Sequence, residues 1–554
     1  MAETSGQFTV TLDGRIDNRD ELLLRLGSGV DAVDDAAIVG AMVERWGTDG
    51  LAAIVGEWSA VIRDGARRAL HLARDYMGTR PLYYCASADS IAWSPDLADL
   101  VTRTRRTTHL NDRFAAQFMS LSPRPDVTPY DGIHAIPPGA CVTIASSGDV
   151  AVAQFWKIAA GEIRYRDART YEEHLRSLWR DAVLARLRTT EPVWAELSGG
   201  LDSSSVACMA DRLIKRGMAV TPALRLISHA TLQSPEGDER RFIAEVERQV
   251  GVQSEIVGVE ENQDQKSASR GWVTPYALQG VGLETMRRVQ AGGGRVVLSG
   301  RIGDAVMGCQ PDNSAAIWDD LSRGRGVAVL HNLRAWCRAT RKPAIELACG
   351  LLTPDRAPNA STAIDLLTPR LREMAEDVAP IEAPRDIRRS KRALARMILG
   401  YSASARLDVP DRPPGIVYAY PFAHRPLVDF MLAIPGEQLS APGVTRALMR
   451  RAFAPFVPAR VIRRISKGYY PPAAYRAARR LVSSVDVRTL EVVERGWIDP
   501  DRLQTAIRAL IAGSGESGGD VHAVLRLESW LAARRTPSSI PQRKEVNTNE
   551  VLHA

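Results

Sequence analysis

The chain has 554 residues, 45% hydrophobic and 25% charged, more than one core can hold, so two or more globular domains are expected. Its net charge of +7 and pI near 9.1 suit an anionic partner. No aromatic-interleaved basic motif is present, which favours a nucleotide or an acidic peptide over nucleic acid. Six scattered cysteines without a CxxC pair argue against zinc or a disulfide framework and read as small buried hydrophobes of a reducing compartment. The N-terminus lacks the basic flank and apolar core of a signal peptide, and no run is apolar enough to span a bilayer. A cytoplasmic protein with no membrane or nucleic-acid partner is expected.

In chain order, Phe8–Leu12 alternates as a half-buried strand. Asp20–Leu26 and Asp34–Trp46 read as helices stopped by Gly27 and Gly47. Gly56–Asp64, Ala69–Asp75 and Pro81–Cys85 read as strands between polar turns, a mix that fits an α+β sandwich. Thr128–Ala140 is turn-rich and punctuated by proline, and Ala159–Arg169 reads as a linker. A first domain over 1–158 and a second over 171–535 follow.

The second domain opens with a helix over Tyr171–Arg188. Strands over Pro192–Leu197, Ala223–Ser228, Glu255–Val257 and Arg295–Gly300 then alternate with helices, including Asp238–Val250 and Gly282–Ala291. This rhythm predicts a parallel sheet with ligands beyond its carboxyl ends. Leu197–Asp202, Ser228–His229 and Ser299–Asp304 sit at such ends and should converge on one crevice. Ala344–Leu352 and Ile387–Gly400 read as helices with Arg/Lys-rich exposed faces, and His522–Leu531 as a last amphipathic segment. Beyond Arg534 the chain turns polar, so 536–554 is expected to be disordered.

Ser198-Gly199-Gly200-Leu201-Asp202-Ser203-Ser204-Ser205, between a strand and a helix, is an anion cradle. The glycines let backbone approach a ligand and the helix start offers free N–H groups. Asp202 beside bound phosphates needs a cation, and Mg²⁺ is the natural one. No GK[ST] follows, so this is not a Walker A loop.

That stretch resembles the pyrophosphate loop of the N-type ATP pyrophosphatases, which cut ATP between the α- and β-phosphates. The resemblance implies nucleotide contacts from Leu197, Ser198, Gly199, Gly200, Leu201, Asp202, Ser203 and Ser204, with Ser228, Ser299 and Gly300. It also implies Mg²⁺ ligands at Asp202 and Asp304. Asp238-Glu239 resembles an acidic pair near the nucleotide pocket, and reads equally as favourable acids at a helix N-terminus. Thr445–Phe453, leading to Pro458 and Val461–Gly468, resembles the asparagine synthetase block that ends in a catalytic lysine, here Lys467. Arg301 stands where asparagine synthetases carry an acid and β-lactam synthetases a tyrosine. It cannot act as a base, but suits an adenylate phosphate or a substrate carboxylate.

The first domain, through Asn18–Leu22, Arg45-Trp46-Gly47, Gly56-Glu57-Trp58 and Arg74–Tyr83, resembles the Ntn-type glutamine amidotransferase domain of asparagine synthetases. Those domains use an N-terminal cysteine, and Ala2 stands in its place. Glutamine hydrolysis is therefore not expected, and the domain is left to pack against the second or to bind a peptide or partner. The same loss is known in β-lactam synthetases and lasso-peptide cyclases. Tyr420–Pro435 resembles a further block of these synthetases; its apolar residues read as packing and His424 as a loop residue that either lines the substrate cleft or is merely exposed.

The resemblance, with Ala2, Arg301 and the helical tail, implies a lasso-peptide macrolactam synthetase. It would adenylate an Asp or Glu side chain of a ribosomal precursor peptide for attack by the peptide's N-terminal amine, releasing AMP and pyrophosphate. An α-amine, with a pKa of about 7.7–8.0, needs little help from a base, which fits a site with no obvious one. A leader peptidase and a precursor-recognition protein are the implied partners. The competing readings are a β-lactam-type cyclase, an ammonia-dependent asparagine synthetase and a non-catalytic peptide-binding scaffold.

Overall fold

The computed structural model describes residues 2–5, 7–27, 34–87, 90–107, 109–121, 124–159, 161–231, 238–262, 271–276, 280–310, 313–352, 362–378, 381–404, 415–465, 486–513, 518–535 and 552–553. Lys467 and 536–551 lie outside them.

The N-terminal strands are β1 (Ala2–Ser5), β2 (Phe8–Ile16), β3 (Gly56–Asp64), β4 (Ala69–Arg74), β5 (Tyr83–Ala86), β6 (Ser90–Ser94), β7 (His134–Ala135), β8 (Ala140–Ala145) and β9 (Val150–Gln154). β1-β2-β3-β4-β8-β9 form one antiparallel sheet, and β6, β5 and β7 belong to a second. Val61, Leu72, Leu82, Tyr84, Ile136 and Val142 fill the space between them. Helices α1 (Arg19–Leu26) and α2 (Asp35–Trp46) cover the outer face of the larger sheet through Leu22, Ile38, Val39, Met42 and Trp58. Asp34 caps α2 by accepting from Ala37 N at 2.9 Å, and Gly47, at φ +64°, ends it. Helix α3 (Leu97–Arg103) backs the smaller sheet. The sandwich is thus helix, sheet, sheet, helix. α3, α4 (Asp112–Ser120) and the β8–β9 hairpin are additions to the elements read from sequence.

The sheet of the C-terminal half is wholly parallel. Its strands β10 (Val193–Glu196), β11 (Leu224–Ala230), β12 (Ser254–Gly258), β13 (Val296–Leu298) and β14 (Val417–Ala419) lie in the order β12-β11-β10-β13-β14. Helices α5 (Ala168–Leu184), α6 (Leu201–Lys215) and α7 (Arg240–Val250) pack against it. Val193, Trp194, Ala195, Val297 and Leu298 are each 0% exposed, as strands covered on both faces require. Full burial of side chains of this kind contributes about 1.5–3 kcal/mol each.

Among the described residues the two halves interlock at several places. Phe114 and Met119 of α4 share a core with Leu371, Trp497, Leu503, Val524 and Trp530 from the C-terminal helices. At a second junction Glu57 of β3 meets Arg186, which follows α5, and accepts from Tyr420 N at 3.0 Å. Tyr76 donates to Ala423 O at 2.8 Å, and Arg425 to Ala52 O at 2.6 Å.

Four expectations need correction. His424 is buried beside Asp17 at this junction, its Nδ1 3.6 Å from a carboxylate oxygen; the carboxylate holds it inside, and it does not line the cleft described below. Lys391, on the helix Arg389–Ala403, is 1% exposed and donates to Met431 O at 2.8 Å, so that face is not wholly solvated. Of the cysteines, Cys85, Cys141 and Cys208 are buried, but Cys309 and Cys337 are half-buried and Cys349 is exposed. Within the stretch expected to be disordered, β15 (Leu552–His553) pairs antiparallel with Ile91 and Ser90 at the edge of the smaller sheet.

Candidate active site

A cleft of about 700 Å³ opens at the carboxyl end of the parallel sheet, where such sheets bind ligands. Its walls include Leu197, Ser198, Gly200, Asp202 and Ser203 from the loop after β10, and Ser299, Gly300, Arg301, Ile302 and Asp304 from the loop after β13. The two loops expected to converge do so.

The first loop is shaped by its own hydroxyls. Ser203 Oγ receives Ser198 N at 3.1 Å, lies 3.0 Å from Ser198 Oγ and donates to Gly200 O at 3.3 Å. Gly199 sits at φ +70°, and a Cβ there would stand 2.7 Å from Phe242 Cβ, so only glycine fits. The second loop presses on the first. A Cβ on Gly300 would lie 2.8 Å from Ser203 N, and one on Gly303 2.6 Å from Asp202 Cγ. Ile302 between them is held at φ +61°, a left-handed conformation that costs a β-branched residue on the order of 1–3 kcal/mol and concentrates at functional sites.

Other expected contacts do not line the cleft. Leu201 is core and Ser204 is fully buried. Ser228 is 1% exposed, while its neighbours Ile227 and His229 are the wall residues. The two-residue period of a strand sends the Ser228 side chain to the opposite face. Asp238 and Glu239 also separate: Asp238 chelates Arg240 at 2.8–2.9 Å, and Glu239 joins the wall.

Two arginines were not assigned roles from sequence. Arg446 Nη1 lies 3.0 Å from Asp202 Oδ1, and Nη2 pairs with Asp304. One guanidinium therefore bridges the two carboxylates expected to hold metal. Its own φ of +55° places it at the start of the helix Ala447–Phe453. Arg464 pairs with Glu239, donates to Gly199 O at 3.1 Å and stacks 4.1 Å over the Phe242 ring. Both come from the block that leads to Lys467, so that block is docked on the cradle up to three residues before the lysine.

The donor set fits Mg²⁺. Asp202 and Asp304 share one cationic group, and no cluster of three or more His, Cys, Asp or Glu exists among the described residues. Two carboxylates completed by phosphate oxygens and water is how Mg²⁺ is commonly held.

Beyond the phosphate cradle, the cleft wall carries Glu196, His229, Arg301 and Tyr401. Arg301 lies 5.3 Å over the Tyr418 ring. Desolvation in the cleft opposes its charge, but Glu196 together with Tyr420, Tyr418 and Tyr401 outweighs this and its pKa is raised. His229 Nε2 is 2.8 Å from Thr285 Oγ1, and burial lowers its pKa.

Among the described residues the sandwich presents no exposed cysteine. Its cysteines, Cys85 and Cys141, are 6% and 1% exposed within strands, and burial pushes the Cys141 thiol up to about 11. A thiol must ionise to attack.

An amidotransferase-type sandwich joined to a parallel-sheet domain with a two-loop anion cradle defines a class of nucleotide-dependent synthetases. Residues 174–532 match the Asparagine synthase family and residues 1–156 the Glutamine amidotransferase domain. The chain belongs to the asparagine synthase family. Among curated relatives, Asparagine synthetase [glutamine-hydrolyzing] 3 of Bacillus subtilis is 23% identical over 37% of this chain and 34% of its own length. Carboxyethyl-arginine beta-lactam-synthase of Streptomyces clavuligerus is 28% identical over 38% of each. The matched stretch spans little more than a third of these relatives. Family homologues are ATP-dependent amide-forming ligases. A solved glutamine phosphoribosylpyrophosphate amidotransferase from B. subtilis aligns at TM-score 0.21 and 16% identity, covering 54% of this chain and 63% of that one, too weak to bear on the argument. No helix among the described residues is long and apolar enough to cross a membrane.

Proposed function

We propose that this chain makes an amide by activating a carboxylate as its acyl adenylate, and that the substrate is a ribosomal lasso precursor peptide. An Asp or Glu side chain is adenylated and the peptide's own N-terminal amine closes the macrolactam, leaving AMP and pyrophosphate. The observation that carries the reading is the pairing of a complete two-loop cradle around Asp202, Asp304 and Arg446 with a sandwich whose two cysteines are buried. Activation is retained while in-chain ammonia supply is not, so the amine arrives with the substrate.

The chain's residues divide the work. Ser198, Gly200 and Ser203 face the phosphates with hydroxyl and backbone donors. Asp202 and Asp304 would hold Mg²⁺, whose charge offsets that of the phosphates. Arg446 stands between those carboxylates, within reach of the leaving pyrophosphate. Lys467, in the family position of the catalytic lysine, supplies a cation to the oxygens that gain charge as the adenylate forms and collapses. Arg301 steadies an adenylate phosphate or a substrate carboxylate. The rest of the task is orientation, which can supply about 7–11 kcal/mol of a barrier. A leader peptidase and a precursor-recognition protein act upstream, releasing the amine and delivering the peptide, in the cytoplasm.

The test supplies purified protein with ATP, Mg²⁺ and a leader-free precursor peptide. AMP, pyrophosphate and a dehydrated peptide are expected. Asp202→Ala removes pyrophosphate release, and a surface control such as Arg338→Ala does not. ADP in place of AMP, or no dehydrated product, defeats the reading. The relationship to carboxyethyl-arginine beta-lactam-synthase favours one alternative, closure of a small amino-acid derivative. It predicts AMP release with a carboxyethylated amino acid and none with peptides.

A further inference from the structure

Among the described residues, four carboxylates line the cleft: Glu196, Asp202, Glu239 and Asp304. Asp202 and Asp304 meet Arg446, and Glu239 meets Arg464. Glu196 is held differently. Its Oε2 accepts from the Ser299 hydroxyl at 2.5 Å and its Oε1 from the Tyr418 hydroxyl at 3.2 Å, two neutral donors. Each oxygen keeps further acceptor capacity. The residue ends β10, two positions before Ser198, and its partner Ser299 immediately precedes Gly300. Glu196 therefore stands where the two phosphate loops leave the sheet, beside Arg301.

We infer that Glu196 is the proton acceptor for the attacking amine. The inference rests on the acyl-adenylate reading above. In the step, the amine lone pair forms the C–N bond to the acyl carbon, and the bond from that carbon to the adenylate oxygen breaks as AMP leaves. One N–H proton passes to the Glu196 carboxylate and from there to water. Ser299 and Tyr418 are positioning residues that hold the carboxylate by both oxygens. Arg301 lines the same wall beside it. His229 is the competing group on the same wall, with Nε2 already engaged by Thr285.

The experiment separates the two half-reactions of the full chain. Carboxylate activation is read by ATP–pyrophosphate exchange on a peptide whose N-terminus is acetylated, and amide formation by single turnover on the free-amine peptide. The probes are linear peptides with one internal Asp or Glu, alongside L-aspartate plus ammonia and a carboxyethylated amino acid. Glu196→Gln, close in shape, should keep exchange within a few-fold and slow amide formation by about 10²–10⁴-fold, the usual contribution of a general base. It should also flatten the acid limb of the single-turnover pH profile. Tyr418→Phe should shift that limb without removing it. Equal loss of both half-reactions in Glu196→Gln, or loss of neither, overturns the inference and leaves the adenylate reading intact. So does a loss confined to amide formation in His229→Asn and absent from Glu196→Gln. No exchange in the parent protein with any probe sinks both.

Discussion

Glu57 and Arg186, from different domains, form an ion pair at 2.8 Å in which both side chains are 0% exposed. Arg15 also reaches Glu57, at 3.2 Å. Burial pushes the Glu57 carboxyl up, but the arginines, Arg15 foremost, outweigh it and hold it near 2.

Removing one side of this pair strands a buried charge. Glu57→Ala should destabilise the protein by about 3–5 kcal/mol, read as a lowered denaturation midpoint with the two domains unfolding in separate transitions. The sign with pH follows from the depressed carboxyl. The stability from Glu57 is complete above the unfolded value of 4.5 and drains as pH falls toward about 2. The variant's stability curve should be the flatter of the two below pH 4.5. A single transition at the parent's midpoint would contradict the interlocked junction.

Arg446 bridges Asp202 and Asp304, the carboxylates proposed to hold Mg²⁺. Arg446→Ala should cost about 1.5–3 kcal/mol in metal-free buffer, the range for hydrogen bonds to charged groups. Added Mg²⁺ should recover more stability in the variant than in the parent. Equal Mg²⁺ responses in thermal melts would separate the guanidinium from the metal position.

Gly300→Ala tests the contact between the loops. Its Cβ would meet backbone atoms of Ser203 at 2.8 and 3.0 Å, and backbone cannot swing aside. A displacement near 1 Å should lower ATP–pyrophosphate exchange by about 10²-fold with the melting temperature nearly unchanged. Parental exchange would mean the loops do not need to touch.

Lys391 is fully enclosed, and burial lowers its pKa to about 7 against the pull of Asp319 and Glu437. The unfolded chain binds this proton up to about 10.5, so stability should rise with pH between about 7 and 10.5. Lys391→Met should abolish that rise, measured as melting temperature against pH, while leaving exchange activity in place. An identical slope in both proteins would refute the assignment.

The cradle was legible because it is local. Ser198–Ser205 carries its strand, turn and helix start within one short stretch, and Gly199 and Gly200 mark where backbone must approach a ligand. Asp304 was reachable for the same reason, as a glycine-flanked acid after a strand. Glu196, Arg446 and Arg464 were not, since each acts across the chain: Arg446 is 244 residues from Asp202, and nothing in its helix-start sequence shows the partner. Ser228 was misplaced by one residue because sequence gives the strand end but not which face its side chains take. His424 and Lys391 looked like surface groups because polarity alone says nothing of a buried carboxylate or carbonyl that can satisfy them.

The junction at Glu57 also bears on the cleft. Among the described residues, the sandwich carries no residue of the cleft itself. Here it supplies the counter-charge for Arg186, an acceptor for the Tyr420 amide and a hydroxyl for Ala423, groups on which the neighbouring sheet and its ligand cleft are mounted. Excising the sandwich would leave those groups unmatched inside the remaining half. The sandwich is thus an internal foundation for the half that carries the cleft.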